Sequence, residues 1–171
     1  MTRPRVHIRE KSAGDVAGCL ALVRAVHERD DYPRHLPDDA HGFLFPTYET
    51  DAWVAEHDGV VVGHVALHDA AVDPTLPAAQ RATGLPSDRL AVLARLLVSP
   101  QHRGAGLGRE LLQTATARAR GRGQRAVLDV VQDAAAPVRL YEAQGWQRLE
   151  PLSLPIPGGA SLDLWVYLAP L

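Results

Sequence analysis

The sequence predicts an α/β (α+β mixed) fold, with a central mixed and mostly antiparallel β-sheet flanked by helices on both faces. Residues 88–131 have the pattern of strand, helix and strand, a unit expected to be parallel and right-handed. Residues 52–68 have the pattern of an antiparallel hairpin, and residues 161–168 alternate like a last strand. Parallel and antiparallel strands therefore share one sheet, which helices must cover.

The first quarter of the chain predicts a strand, a helix and a loop. Val6–Glu10 alternates and is expected to be a strand, and Asp15–His27 carries a wide apolar stripe typical of a helix. Ser12 is a suitable N-cap for this helix. The segment Arg29–Asp39 is polar and broken by two prolines, which predicts a loop, followed by a short helix over Asp39–Leu44.

The next quarter predicts a hairpin and a long connection. Ala52–Glu56 and Val60–His68 are apolar strands, and Asp58-Gly59 between them is the strongest short signal for a tight hairpin turn. Residues 73–87 contain three prolines and a glycine, and we expect a loop there. A loop of this length in a small domain is functional or mobile.

The second half predicts two further helices among strands. A glycine pair follows the first helix, Gly145 ends the second, and the last loop is rich in proline and glycine. The expected elements are a central strand Asp88–Val98, a helix Leu107–Arg120, a strand Ala126–Val131, a helix Pro137–Gln144, a strand from Trp146, an irregular excursion Leu152–Ala160 and a strand Ser161–Leu168.

Composition limits the class of protein. With 171 residues and 46% hydrophobic residues, the chain suits one domain over residues 1–171. A formal net charge of -2 gives no general attraction to nucleic acid or to anionic membranes. The single cysteine, Cys19, excludes an internal disulfide. The chain has no apolar run of 18 residues and no signal-like start, so we expect a cytoplasmic protein.

A glycine-rich turn between the central strand and the following helix is the strongest functional signal. Gly104, Gly106 and Gly108 permit positive φ angles and close approach of a ligand. The first turn of a helix offers unpaired N–H groups and partial positive charge, which suit phosphate oxygens. Arg103 and Arg109 add cationic donors on either side. These residues predict a cradle for a diphosphate.

Two common nucleotide-binding motifs are excluded at this turn. A dinucleotide fingerprint needs glycine at its sixth position, which is Arg109 when counted from Gly104. The phosphate loop of nucleotide hydrolases ends in Gly-Lys-Ser/Thr, and the one lysine of this chain is Lys11. A nucleotide-binding switch protein is therefore disfavoured.

The segment Gln101-His-Arg-Gly-Ala-Gly106 resembles the coenzyme A pyrophosphate loop of the GCN5-related N-acetyltransferases (GNAT family), whose pattern is Gln/Arg-x-x-Gly-x-Gly/Ala. The hairpin ending in Val62-Gly-His-Val-Ala-Leu67 and the segment 138–146 resemble the same family. The resemblance implies the family fold, acetyl-CoA as cosubstrate, and the following coenzyme-binding residues: Leu96, Leu97, Val98, Gln101, His102, Arg103, Gly104, Ala105, Gly106, Leu107, Gly108 and Arg109.

The resemblance also implies a role for Tyr141, which matches the tyrosine that often protonates the coenzyme thiolate in this family. A phenol can donate a proton to a thiolate, although packing against coenzyme or core is the plainer alternative. Two positions depart from the family pattern. Ala134 stands where an asparagine is frequent, and residues 90–94 lack the glutamate that often recruits a water as general base.

Two histidines are candidates for the missing base. His64 and His68 lie four residues apart on one strand, so their side chains point to the same face, and either could accept a proton near neutral pH. A metal pair and hydrogen-bonded structural histidines are the alternatives, and no third metal ligand is evident. Asp129 is a further, outside candidate.

The predicted function is acetyl-CoA-dependent transfer of an acetyl group to a primary amine, by direct attack in a ternary complex and without a metal. The acceptor is a small-molecule amine or a protein amine, and neither nucleic acid nor membrane is an expected partner. The charged loop with Arg34 and His35 lies where the resembled family builds its acceptor pocket. The oligomeric state is open, a homodimer included. The alternative is a non-catalytic module of the same fold that senses acyl-CoA.

Overall fold

The computed structural model describes residues 5–34 and 36–171. His35 of the predicted acceptor loop lies outside the described residues. Seven strands and five α-helices lie in these residues, joined by short 3₁₀ turns. In chain order they are β1 (His7–Glu10), α1 (Val16–Asp30), α2 (Ala40–Leu44), β2 (Glu49–His57), β3 (Val60–Asp69), α3 (Leu76–Thr83), β4 (Leu90–Val98), α4 (Leu107–Gly121), β5 (Arg125–Val131), α5 (Ala135–Ala143), β6 (Gln147–Pro155) and β7 (Ser161–Leu168). None of the helices in the described residues is long and apolar enough to cross a bilayer.

The strands form one mixed sheet in the order β1-β2-β3-β4-β5-β7-β6. Strands β4 and β5 are parallel, with Leu90 opposite Arg125 and Val92 opposite Val127. Antiparallel pairs join β1 to β2, β5 to β7, and β6 to β7. The predicted mixed sheet with a parallel strand–helix–strand unit is confirmed.

Two compact units make up the described chain. The first contains the described residues of Met1–Leu67 together with Arg95–Ala115, and the second contains His68–Ala94 and Thr116–Leu171. Each unit has its own apolar cluster. The single domain expected over residues 1–171 stays a prediction.

The core of the first unit forms around α1, which buries Leu22, Val23 and Val26 of the predicted apolar stripe. Small residues allow close packing against β3: a Cβ on Gly18 would lie 2.7 Å from Val61, and a Cβ on Gly63 would lie 2.9 Å from Leu111 of α4. Larger side chains at these two glycines would push the helices away from the strand. The buried cluster is Cys19, Leu22, Val23, Val26, Leu44, Val54 and Leu97.

The hairpin β2–β3 has the predicted turn. Asp58 and Gly59 have φ angles of 50° and 78°, the two positive values that a two-residue type I′ turn requires. At the other end of the hairpin, the Thr50 hydroxyl donates to the Leu67 carbonyl at 3.2 Å. The turn and the pairing therefore agree on one register.

The second unit buries apolar side chains from α3, β4, β5 and β7. Alanines on α3 contribute because their small side chains let the helix lie close to its neighbours. The buried cluster is Ala70, Ala78, Ala79, Leu90, Val92, Val127, Val166 and Leu168.

The prediction of a loop over residues 73–87 is wrong, because α3 occupies residues 76–83. Pro77 lies in the first turn of this helix, where a missing N–H costs nothing. Gly84 ends it with a left-handed φ of 69°, its N–H donating to the Gln80 carbonyl at 2.8 Å. The prolines and the glycine mark the ends of a helix, and the burial of Ala78 and Ala79 supplies the packing.

The prediction of an irregular segment over residues 152–160 is wrong in its first half, because β6 continues to Pro155. Leu152 lies opposite Leu164 of β7, after a register shift between Arg148 and Pro151. β6 is an edge strand of the sheet, and proline is tolerated at an edge because its missing N–H breaks no inner ladder. Only residues 156–160 form the connection to β7.

The remaining helices differ from expectation at their ends. Helix α1 reaches Asp30 instead of stopping at His27, and α5 begins two residues before Pro137. The short helix expected over Asp39–Leu44 is confirmed as α2, and the Asp39 side chain caps it by accepting the Gly42 N–H at 2.9 Å.

Candidate functional site

The glycine loop lies between β4 and α4 in the first unit. The Ser99 N–H donates to the Val62 carbonyl of β3 at 2.8 Å, which ties the end of β4 to the neighbouring strand. A 3₁₀ turn over Pro100–His102 follows, closed by the His102 N–H on the Ser99 carbonyl at 2.9 Å. The loop is thus anchored before its first glycine.

Two of the three glycines need their conformational freedom. Gly104 and Gly106 have φ angles of 82° and 83°, values that side chains disfavour, whereas Gly108 is helical, within α4. A Cβ at Gly104 would meet no atom within 4 Å, so the backbone there is open to a ligand. The prediction of positive φ is confirmed at Gly104 and Gly106 and wrong at Gly108.

Helix α4 begins directly after Gly106. Its first hydrogen bond runs from the Glu110 N–H to the Gly106 carbonyl at 3.0 Å. The N–H groups of the three preceding residues, Leu107–Arg109, therefore lie ahead of the helical hydrogen-bond ladder, at the positive end of the helix dipole. Exposed loop backbone and a helix N-terminus together suit a diphosphate.

The two arginines beside the loop have different surroundings. The Arg103 guanidinium forms an ion pair with Asp30, the last residue of α1, and donates to the Val98 carbonyl at 3.2 Å. The Arg109 guanidinium lies over Gly106, where a Cβ would be 3.2 Å from it. The pairing of Asp30 with Arg103 was missed from the sequence, since 73 positions separate them.

His102, one of the predicted coenzyme-binding residues, is partly buried. Its ring makes an edge contact with His57 of β2, with ring centroids 5.1 Å apart. This contact gives the loop a second attachment to the first unit. Gln101 and Ala105 are exposed, and the Ser99 hydroxyl bonds Gln101 at 2.8 Å.

His64 is fully buried in β3, and both of its ring nitrogens have partners. Nδ1 lies 2.8 Å from the Arg95 carbonyl of β4, and Nε2 lies 3.1 Å from the ammonium of Lys11. His68 is also buried, with 2% of its surface exposed, and belongs to the second unit. Asp129 of β5 is exposed.

A buried charge network near His64 was missed from the sequence. The Lys11 ammonium bonds the Leu44 carbonyl at 2.6 Å and the Glu49 carboxylate at 2.7 Å, and it lies 4.1 Å from the centre of the Phe45 ring. Burial raises the pKa of Glu49, although its bond from Lys11 opposes the rise. A lone lysine carries no motif, so only its position in the fold reveals it.

Tyr141 lies on α5 in the second unit and is 7% exposed. Its ring centroid is 6.0 Å from that of Trp146 and 6.2 Å from that of Tyr167. The Trp146 N–H donates to the Tyr141 carbonyl at 3.0 Å, so the helix end and the start of β6 hold the residue in place. The Tyr167 hydroxyl donates to Glu142 at 2.7 Å, and burial raises the pKa of Tyr167.

Ala134, where the family often has asparagine, lies at the start of α5. Ala134 is the N-cap of α5, and it has no side-chain oxygen to accept an N–H of the first turn. The asparagine that is frequent at this position would be a capping residue.

Among the residues that the structure describes, no cluster of three histidine, cysteine or acidic side chains could hold a metal ion.

The mixed sheet and a glycine loop that leads into the N-terminus of α4 define the fold class of this protein. The model of the acetyltransferase (GNAT) family matches residues 20–146, and the chain belongs to this family. No curated protein sequence matches the chain.

Solved structures of acetyltransferases share the fold. The ribosomal-protein-alanine N-acetyltransferase of Brucella melitensis is 25% identical, with a TM-score of 0.72, and the match covers 96% of this chain and 99% of that one. Arabidopsis thaliana NAA60 in complex with acetyl-CoA is 16% identical, with a TM-score of 0.72 and coverage of 96% and 97%. The ribosomal-protein-S18-alanine N-acetyltransferase of Escherichia coli is 16% identical, with a TM-score of 0.70 and coverage of 97% and 94%.

Proposed function

We propose that this protein is an N-acetyltransferase that moves the acetyl group of acetyl-CoA to a primary amine. The glycine loop carries the proposal: Gly104 and Gly106 are left-handed, their backbone leads into the N-terminus of α4, and Arg103 and Arg109 lie beside it. This arrangement fits the diphosphate of coenzyme A. Family membership and a relative with bound acetyl-CoA support the same ligand.

The coenzyme-binding residues divide into two groups. The loop and helix start, Gln101–Arg109, supply N–H groups and guanidinium groups to the phosphates. The end of β4, Leu96–Val98, supplies backbone groups and apolar contact to the rest of the coenzyme, and a backbone N–H near Val98 polarises the thioester carbonyl. The coenzyme supplies an activated acetyl group, so the protein has only to orient it and to move protons.

Two proton transfers complete the reaction. The attacking amine must lose a proton, and the departing thiolate must gain one, for which we propose the Tyr141 hydroxyl as donor. The sequence offers His64 and His68 as acceptors of the amine proton, directly or through a water, and of the two we propose His68. His64 would have to release the Lys11 ammonium or the Arg95 carbonyl before it could act, because both ring nitrogens are engaged.

The acceptor class includes small amines and protein N-termini. Two of the structurally similar enzymes are named for ribosomal-protein alanine, which supports including peptides with a free N-terminus. The candidate acceptors are offered in solution in the test below.

The test measures free thiol released from acetyl-CoA in the presence of a panel of small amines and peptides. Release that depends on one acceptor class, with acetylated product seen by mass spectrometry, supports the proposal and identifies the acceptor. Tight binding of acetyl-CoA without release in any case would favour the sensing module. Absence of acetyl-CoA binding by calorimetry would contradict both.

A further inference from the structure

Arg95 has a backbone conformation that its place in a strand does not explain. Its φ is 57°, in the left-handed region, although it lies inside β4. The other described non-glycine residues with positive φ, Asp31 and Asp58, end α1 and turn the hairpin. A side chain disfavours this conformation by roughly five- to thirtyfold. The surrounding structure must therefore hold Arg95 in place.

Contacts at both ends of Arg95 hold it. Its carbonyl accepts a hydrogen bond from Nδ1 of the buried His64 at 2.8 Å. Its side chain donates from Nε to the Phe43 carbonyl at 3.1 Å and lies 3.7 Å above the Phe43 ring. The carbonyl contact acts directly on the strained backbone.

Lys11 determines which nitrogen of His64 carries the proton. An ammonium group can only donate, so Nε2 of His64, 3.1 Å away, must accept, and Nδ1 must be the protonated nitrogen. The other Lys11 donors are used by the Leu44 carbonyl and by Glu49. A chain of bonds thus runs from Glu49 through Lys11 and His64 to the Arg95 carbonyl.

The left-handed backbone at Arg95, here called the kink, comes immediately before Leu96–Val98, the part of β4 that we propose binds the coenzyme. Leu97 is buried in the core of the first unit, whereas Leu96 and Val98 are partly exposed. The Val98 carbonyl accepts the Arg103 guanidinium of the glycine loop at 3.2 Å. The φ angle of Arg95 sets the direction in which the chain continues. It therefore sets which backbone groups of Leu96–Val98 face outward.

We infer that His64 is a positioning residue: it holds the left-handed kink at Arg95 and so orients the backbone of Leu96–Val98 for acetyl-CoA. The inference rests on the proposed function, because it concerns the same coenzyme site. It gives His64 a role that needs no proton transfer. His64 acts through the Arg95 carbonyl and does not touch the reacting atoms.

Two replacements of His64 separate its two contacts. Asparagine places an amide N–H near the position of Nδ1 and can keep the bond to Arg95, whereas glutamine reaches the position of Nε2 and keeps the contact with Lys11. His64→Asn should bind acetyl-CoA within about threefold of the native protein, and His64→Gln should bind about tenfold more weakly, the effect of one lost hydrogen bond. Equal affinities, or the reverse order, would overturn the inference.

A glycine at position 95 tests the backbone directly. Glycine adopts the left-handed conformation freely, so adding Arg95→Gly to His64→Gln should restore most of the lost affinity. Arg95→Ala in the same background is the matched control, because it removes the same side-chain contacts and keeps the strain. Recovery with alanine as large as with glycine would contradict a role through the kink.

The pH profile separates positioning from base catalysis. His64→Asn should keep any rise in turnover near pH 6.5, the usual pKa of histidine. Loss of that rise with normal acetyl-CoA affinity would make His64 the base and overturn the inference. If thermal melting shows that His64→Gln does not fold, the inference is tested on His64→Asn alone. Its acetyl-CoA affinity and the pH dependence of its turnover are then compared with those of the native protein. A native protein that binds no acetyl-CoA would instead defeat the proposed function.

Discussion

The proposed chemistry depends on individual residues, and two of them have a distinctive local backbone. Gly106 combines a φ of 83° with the position directly before α4. Tyr141 lies near the C-terminal end of α5, where its backbone carbonyl receives the Trp146 N–H. Both residues lie in segments that match sequence motifs of the family.

Gly106→Val should weaken acetyl-CoA binding by about tenfold or more. The valine would be strained at this φ, and its Cβ would displace the Arg109 guanidinium, which lies 3.2 Å away. Calorimetric titration of acetyl-CoA measures the effect. Gly84→Val is the control, because Gly84 also has a positive φ of 69° but lies at the end of α3. Equal loss of affinity in the two variants would show that strain alone, and not the loop, is responsible.

Tyr141→Phe should lower kcat by about a hundredfold with little change in acetyl-CoA affinity, because a general acid acts in the transition state. Steady-state kinetics with a working acceptor measure this. Tyr167→Phe is a suitable control, since the Tyr167 ring is 6.2 Å away and its hydroxyl donates to Glu142. We expect the Tyr167 variant to lose stability instead of turnover. Near-normal kcat in Tyr141→Phe would make Tyr141 a packing residue.

At the scale of elements, side chains at helix ends set local stability. Asp15 precedes α1 and accepts hydrogen bonds from the Arg9 guanidinium of β1 at 2.8 and 2.9 Å. Glu56 of β2 binds the same guanidinium. One arginine thus joins two strands to the start of a helix. At the start of α5 the corresponding device is missing, because Ala134 has no capping group.

The Arg9–Asp15 pair predicts acid sensitivity. Hydrogen bonds from Arg9 lower the pKa of Asp15 from 3.8 to about 2. A lowered carboxyl pKa stabilises the fold at pH values above 3.8, and the contribution disappears as pH falls through 2. A shift of this size corresponds to ~2 kcal/mol. Asp15→Asn should therefore lower the free energy of unfolding at pH 6, measured with urea, and reduce its decline toward pH 2.

The exposed Asp38 provides a control for Asp15, since Asp38→Asn should leave the unfolding free energy at pH 6 nearly unchanged. A similar loss in the two variants would show that net charge, and not the pair with Arg9, governs the acid sensitivity.

Ala134→Asn should stabilise the protein by about 1 kcal/mol, because asparagine at an N-cap can accept an N–H of the first helical turn. Urea unfolding measures the change. Ala136→Asn, inside the first turn of α5, is the control and should be destabilising, since asparagine is a poorer helix former than alanine. If the two substitutions behave alike, Ala134 does not act as a cap.

For the whole molecule, coenzyme binding should be coupled to stability. A ligand that binds only the folded state at one hundred times its Kd raises the unfolding free energy by about 2.7 kcal/mol. For a chain of 171 residues this corresponds to an increase in Tm of about 5–10 °C. Thermal melting with acetyl-CoA should show the increase, and Gly106→Val should reduce it. A simple acetyl thioester without the diphosphate should produce little shift, and an equal shift would contradict the role of the loop.

Much of this fold could be predicted from the sequence, because its signals are local. The Asp58-Gly59 turn, the strand before Pro100 and the start of α4 depend on residues that are neighbours in the chain. Helix α3 was missed although its signals are also local: Pro77 and Gly84 were interpreted as loop residues, when they mark helix ends. Burial of Ala78 and Ala79 against other strands resolves that ambiguity, and burial is not a local property.

By itself the sequence determined the mixed sheet, the glycine loop and the family, since a strand, a glycine turn and a helix start need only consecutive residues. Tertiary structure alone decided the surroundings of His64. Its partners Lys11 and Arg95 are 53 and 31 positions away, and their contacts exist only because strand pairing brings them together. Likewise, Asp30 pairs with Arg103 across 73 positions. Contacts of this kind depend on register and packing, which no short motif encodes.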